Sequence, residues 1–332
     1  MGKRLTWGAI GPKSWPTARG PTMNDWQIHL EKTSRTFALS IPLLDEPLRR
    51  EVTLAYLLFR VADTLEDAAT WPASLRSSTL RACGDVLRTG DPQQAARLAS
   101  HWVQLAPTSH AGYLALLQAF PSLLRDARAL RPEATSRIEH HLLRTIDRMD
   151  DFVSRAAKDD AVVLHTLDDL QAYCYAVAGI VGELLTDLFL VQAPHLRAVA
   201  KDLQRHAPAF GEGLQLVNIA RDALDDAKEG RSFIPASMSV NDVLALAHDD
   251  LDKAGVYVET LRAHGAPSGM IAFVALPVAL ARATLRKVMI DGAGTKLSRG
   301  EVAELMRQVQ ALSAAPAEPP WFRDPDRLVR QP

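Results

Sequence analysis

The sequence predicts an all-α protein built as a single large helical bundle. Three observations carry that expectation: apolar residues recur at three- and four-residue spacing over nearly the whole chain, alternating strand patterns are scarce, and the breaks are short and carry Gly and Pro.

In chain order, the periodic segments are 49–68, 76–89, 112–127, 133–156, 167–190, 198–226, 239–263, 268–290 and 298–313. "ATWPAS" (69–74) closes the first segment and "RTGDPQQ" (88–94) the second. "QAPH" (192–195) divides the fifth from the sixth, "EGRSFIPASM" (229–238) the sixth from the seventh, and "HGAPSG" (264–269) the seventh from the eighth. No linker separates two composition regimes, so residues 23–313 read as one domain. Residues 1–22, with their Gly and Pro, read as a flexible arm, and the proline-rich residues 314–332 as an extended tail.

Composition narrows the function classes. Hydrophobic residues at 47% and charged residues at 23% describe an ordinary globular chain long enough, at 332 residues, to bury a large core. A net charge of -1 argues against a protein that depends on nucleic acid, whose phosphates call for a basic excess. Cys83 and Cys174 have no metal-ligand spacing, which points to a reducing compartment, with the cytoplasm as the expected location. The apolar stretches "AYCYAVAGIVG" and "GMIAFVALPVALA" fall short of 18 uncharged residues, so a soluble monomer without a transmembrane segment is expected, touching a membrane surface at most transiently.

The chemistry lies in a duplicated acidic motif, "RVADTLED" (60–67) and "NIARDALDDA" (218–227). Residues four apart on a helix differ by only about 40° and lie roughly 6 Å apart along the axis, so Asp63 and Asp67 share a face, as do Asp222 and Asp226. Taken alone, either pair reads as a solvated charged face. Both, however, end apolar runs, "AYLLFRVA" and "LQLVNIAR", that should face the core, where a carboxylate is costly unless paired or metal-bound. Two such pairs suit Mg²⁺, which takes oxygen ligands and commonly bridges carboxylates to substrate phosphates. Arg60, Arg221, Lys228 and Arg231 stand beside the pairs as clamps for a diphosphate, or otherwise as ordinary helix ion pairs. An apolar cavity between the pairs would then hold a prenyl chain.

Five ordered stretches extend this reading: "KTSRTFALSIPLL" (32–44), "YLLFRVADTLED" (56–67), "YCYAVAGIVGELLTDLF" (173–189), "LQLVNIARDALDDAKEGRSFIP" (214–235) and "FVALPVALARATL" (273–285). Together they resemble the squalene and phytoene synthase family of head-to-head prenyl synthases, over residues 25 to 310, and most nearly its bacterial-type squalene synthases. The resemblance implies an isoprenoid synthase fold, a helical bundle around a central apolar cavity. It also implies that Asp63, Asp67, Asp222 and Asp226 are metal ligands, that Tyr173, Arg60 and Arg221 serve catalysis, and that Ser34, Arg35, Phe37, Gln215, Asn218, Asp225, Lys228, Arg231 and Phe273 contact substrate.

The mechanism implied by the resemblance joins two farnesyl diphosphates through presqualene diphosphate, with Mg²⁺ and arginines withdrawing the leaving diphosphate. Tyr173, acting with that diphosphate, is the candidate base. The final cation has competing fates. "DTLED" and the loop "GTKLSRGE" (294–301) lean toward reduction to squalene, with Lys296 and Arg299 as candidates for holding NADPH phosphate; the plainer reading of that loop is a surface turn with Ser298 as an N-cap. A non-reducing synthase making presqualene diphosphate, dehydrosqualene or phytoene stays open, as does a non-catalytic isoprenoid-binding protein. Glu183, in "VGELL", would alter cation steering if it faced the cavity and would mean little if it faced away.

Overall fold

Capping chemistry sets many of the helix boundaries. The side chain of Asp91 accepts from the backbone N–H groups of Gln93 and Gln94, and Pro92 supplies a pre-set φ at the first helical position. Thr166 and Ser239 each open a helix with a reciprocal capping box, closed by Asp169 and Asp242 respectively.

The computed structural model describes residues 23–155, 162–228 and 233–314. The predicted arm at 1–22, the tail residues 315–332 and Arg231 lie outside the described residues, as do the side chains of Asp226 and Lys228. In chain order the helices are α1 (Met23–Thr33), the short α2 (Phe37–Ser40), α3 (Leu48–Glu66), α4 (Ala73–Thr89), α5 (Pro92–Leu105), α6 (Ala111–Arg128), α7 (Pro132–Arg155), α8 (Leu167–Cys174), α9 (Ile180–Gln192), α10 (Ala200–Lys228), α11 (Val240–Ala263), α12 (Ser268–Asp291) and α13 (Arg299–Ala314). No β-strand occurs among the described residues, so the all-α expectation holds.

The helices depart from the periodic segments in several places, and α1 precedes the first of them altogether. Residues 92–105 form a full helix where the proline had suggested a break; Pro92 begins this helix rather than interrupting one, and Ala95, Ala99 and Trp102 are its buried stripe. Segment 167–190 is not one helix either. A π-helical turn, Tyr175–Gly179, separates α8 from α9 and adds a residue to the winding.

Helix α10 packs along α11, α9 and α12, and α3 lies against α6, α7 and α4. Glycines let the π turn and α9 approach α10 at backbone distance. A Cβ on Gly211 would sit 1.9 Å from the Ala178 carbonyl oxygen, and one on Gly182 would sit 1.9 Å from that of Ala207. By length and composition Leu167–Gln192 and Ser268–Asp291 could cross a membrane. However, 56% and 78% of their most apolar windows are buried inside the protein, which marks them as core helices.

Candidate active site

Along α3, positions 52, 55, 56, 59, 60 and 63 fall on one face, followed by Asp67 at the helix end; along α10, positions 210, 211, 214, 215, 218, 221 and 222 do the same. Both stripes pass from apolar to charged in the N-to-C direction, Val52 to Asp67 and Phe210 to Asp222. The two faces enclose a cavity of about 480 Å³, of a size suited to a small organic ligand.

Its apolar walls come from Phe37, Ile41, Phe59, Leu184, Leu185, Phe210 and Phe273, with Val177 and Ala178 of the π turn. Its polar end gathers Arg60, Asp63, Asp67, Tyr113, Asn218, Arg221 and Asp222. Phe59, packed in the core, is therefore also wall. Of the small residues in "AVAGIVG", Val177, Ala178 and Val181 line the cavity, while Gly182 serves the close approach to α10.

Each acid pair has an arginine already engaged. Arg60 donates to Asp63 and, at 3.1 Å, to the Tyr56 hydroxyl, and its guanidinium lies 5.6 and 5.7 Å from the ring centroids of Tyr56 and Tyr113. Burial opposes the Arg60 charge, but Asp63 and Tyr56 outweigh it and hold the group more firmly protonated than usual. On the facing wall, Arg221 donates through Nε and Nη2 to the two carboxylate oxygens of Asp222, with Nε···Oδ1 at 2.8 Å.

Asp63 and Asp67 also stand at the C-terminal end of α3, where the backbone dipole is negative and a carboxylate is disfavoured. The polar end therefore concentrates negative potential and calls for cations. As placed, no three acidic, His or Cys side chains among the described residues come together around a common point. The donor set is nonetheless carboxylate oxygen, the chemistry a hard divalent ion selects. Asp63, Asp67 and Asp222 are thus the described residues that would hold Mg²⁺, Asp63 and Asp222 once their arginines release them.

Tyr173 lies at the cavity wall, fully enclosed between Phe233, stacked at 5.1 Å, and the edge of Phe152 at 5.3 Å. Burial, reinforced by the nearby carboxylates of Glu66, Asp67 and Asp63, raises its pKa well above the ordinary phenol value. It therefore meets the cavity as a protonated hydroxyl, a hydrogen-bond donor rather than the base that the resemblance suggests.

Gln215, Asn218, Phe37 and Phe273 reach the cavity as expected. Ser34 and Arg35 do not line it. The Ser34 hydroxyl instead accepts from the Phe37 N–H at 2.9 Å and so braces the turn that presents Phe37. Asp225 is exposed and off the cavity wall. Lys296 and Arg299 are exposed on the loop before α13 and at its first residue, and Ser298 caps that helix reciprocally with Glu301. The loop still touches the site, because the Gly294 N–H donates to the Arg221 carbonyl at 2.7 Å.

Glu183 faces away from the cavity. It bonds to Arg144 at 2.5 Å and to the Tyr175 hydroxyl at 2.9 Å, in a network that continues through His141 to Asp187. Sequence reasoning missed Tyr56 and Tyr113, the aromatic flanks of Arg60. Tyr56 stands one turn before Arg60 and was legible from spacing, whereas Tyr113 arrives through helix packing alone.

Residues 30–239 match the family model described as squalene/phytoene synthase, well over half of the chain. The chain belongs to the squalene/phytoene synthase family. Within it, the protein is 30% identical to the squalene synthase of Candida albicans over 206 residues, covering 62% of this chain and 44% of that one. It is also 30% identical to the squalene synthase of Eremothecium gossypii over 234 residues, covering 69% and 50% respectively. The chain thus spans about half the length of the curated relatives it matches. In three dimensions, a solved ligand complex of TcSQS superposes with a TM-score of 0.72 at 23% identity, over 92% of this chain and 96% of that one. A dehydrosqualene synthase complex gives 0.53 at 19%, over 86% and 94%. The isoprenoid synthase fold of the squalene/phytoene synthase family is therefore the fold of this protein.

Proposed function

We propose that this protein is a prenyltransferase that joins two farnesyl diphosphates head to head, through presqualene diphosphate, to squalene. The observation that carries the reading is the juxtaposition of two Asp/Arg pairs, on facing helices, at one end of an apolar cavity. Membership of the family supports the same reading.

The residues divide the work. Asp63, Asp67 and Asp222, with Asp226 from the sequence motif, hold Mg²⁺, which when bound offsets the negative charge that builds on a departing diphosphate. Arg60 and Arg221 bind phosphate oxygens through charge-assisted hydrogen bonds. Tyr173 donates to the leaving group from a pocket closed by Phe233 and Phe152. Phe37, Phe210 and Phe273 exclude water from the allylic cation, which water would otherwise trap as an alcohol.

For a reductive finish, the exposed Lys296 and Arg299, on the same 294–301 stretch whose Gly294 bonds to Arg221, would hold the phosphates of NADPH, which would supply the hydride. The test is product analysis by gas chromatography and mass spectrometry after incubation with farnesyl diphosphate and Mg²⁺, with and without NADPH, and with phosphatase treatment. Squalene formed only with NADPH supports the full reading. Dehydrosqualene or presqualene alcohol regardless of NADPH keeps the condensation and removes the reduction, and no product from farnesyl diphosphate overturns the substrate assignment.

A further inference from the structure

The polar end of the cavity contains a group that neither acidic motif accounts for. Tyr113, in the first turn of α6, reaches it from a third helix, separate from α3 and α10. Its ring is one of the two that flank the Arg60 guanidinium, at 5.7 Å.

The two flanking tyrosines differ in what their hydroxyls do. That of Tyr56 is fully engaged, accepting from Arg60 and donating to the Thr33 carbonyl oxygen, each at 3.1 Å. That of Tyr113 has no hydrogen-bond partner among the described residues, although the residue is partly buried and lines the cavity.

Arg60 is already stacked and bonded without that hydroxyl, so packing around the guanidinium explains the Tyr113 ring but not its oxygen. A neutral phenol is an available donor beside a guanidinium, and the ligand that both groups recognise is an oxyanion. We propose that Tyr113 is a further substrate-contacting residue, whose hydroxyl donates to an oxygen of the diphosphate gripped by Arg60. The inference rests on the proposed function and adds a donor from α6 to those on α3 and α10. Its hydrogen bond strengthens as negative charge collects on the leaving group, so it favours departure as well as binding.

Tyr113→Phe tests this, because it keeps the ring over Arg60 and removes only the oxygen. With an unchanged Tm, calorimetric titration with inorganic diphosphate in Mg²⁺ should show Kd raised about 10-fold, the scale of one hydrogen bond to a charged group. The kcat for diphosphate release from farnesyl diphosphate should fall by at least as much. Tyr113→Leu, which also strips the ring from Arg60, should lose more. If Tyr113→Phe binds and turns over like the wild type while Tyr113→Leu fails, the residue acts only by packing and the inference is overturned, with the functional reading intact. A wild-type protein with no Mg²⁺-dependent affinity for diphosphate and no turnover overturns both.

Discussion

Arg221 clasps the carboxylate of Asp222, its immediate neighbour along α10, and across the cavity Arg60 pairs with Asp63 one turn ahead on α3. Each motif therefore carries its own cation until something displaces it. A divalent ion entering with a diphosphate would take over the carboxylates and free both guanidinium groups for the phosphate oxygens. Ion binding and arginine delivery would then be a single exchange.

That exchange predicts opposite effects from one substitution. Arg221→Gln should free Asp222 and tighten the binding of Mg²⁺ alone by about 2- to 5-fold, the scale of a partly exposed ion pair. The same variant should lose diphosphate release by about 100-fold or more. Asp63→Asn and Asp222→Asn should lose both properties with the fold retained. Calorimetric Mg²⁺ titration and a diphosphate-release assay are the two readouts, and wild-type turnover in either Asn variant sinks the site assignment.

The acid pairs, their arginines and the apolar stripes leading to them were legible in the sequence because helical spacing alone puts them on one face. What the spacing could not show was the extra residue of the π turn. Past Gly179 the 3.6-residue pattern slips by one position, so the facing direction of Glu183 could not be read by counting through 167–190. Helix α5 was hidden for a different reason: Pro92 can either end a helix or begin one, and the Asp91 cap that decides it depends on local geometry. Tyr113 was invisible because nothing in "HAGYLALL" records that α6 packs against α3. The sequence thus specified what each helix offers to the cavity, and only packing showed which helices meet.

The Tyr173 hydroxyl predicts a clean separation of stability from rate. Tyr173→Phe preserves the stack on Phe233 and the edge contact with Phe152, so stability should hold within about 1 kcal/mol of the wild type. Formation of presqualene diphosphate should fall roughly 100-fold, the lower range for a positioned proton donor or acceptor. Single-turnover analysis of the first half-reaction measures this directly, and an unaffected rate would reduce Tyr173 to a packing residue.

Glu183 predicts the reverse. Because it bonds to Arg144 and Tyr175 behind the π turn, Glu183→Leu should leave the product profile unchanged. It should cost about 1–2 kcal/mol of stability by leaving a partly buried guanidinium and phenol without their acceptor. Denaturant unfolding beside product analysis checks both halves, and an altered product ratio would mean that the network shapes the cavity after all.

Glu212 gives the protein a predicted pH dependence. Its side chain lies behind the π turn, where burial and the facing Asp250 carboxylate raise its pKa from the ordinary 4.5 to about 7, with Lys253 opposing and Glu183 adding to the rise. Below about pH 4.5 the folded and unfolded chains both hold the proton and no penalty arises. Between about 4.5 and 7 the unfolded chain releases its proton while the folded one retains it, so this group's contribution weakens stability as pH rises, and the full penalty persists above about 7. Discounted for partial solvent exposure, that penalty is about 1–2 kcal/mol. Glu212→Gln should therefore match the wild type in thermal unfolding near pH 4.5 and exceed it at pH 8 by roughly 1–3 °C. A difference between the two proteins that stays constant from pH 4.5 to 8 would show that this carboxylate does not titrate with folding.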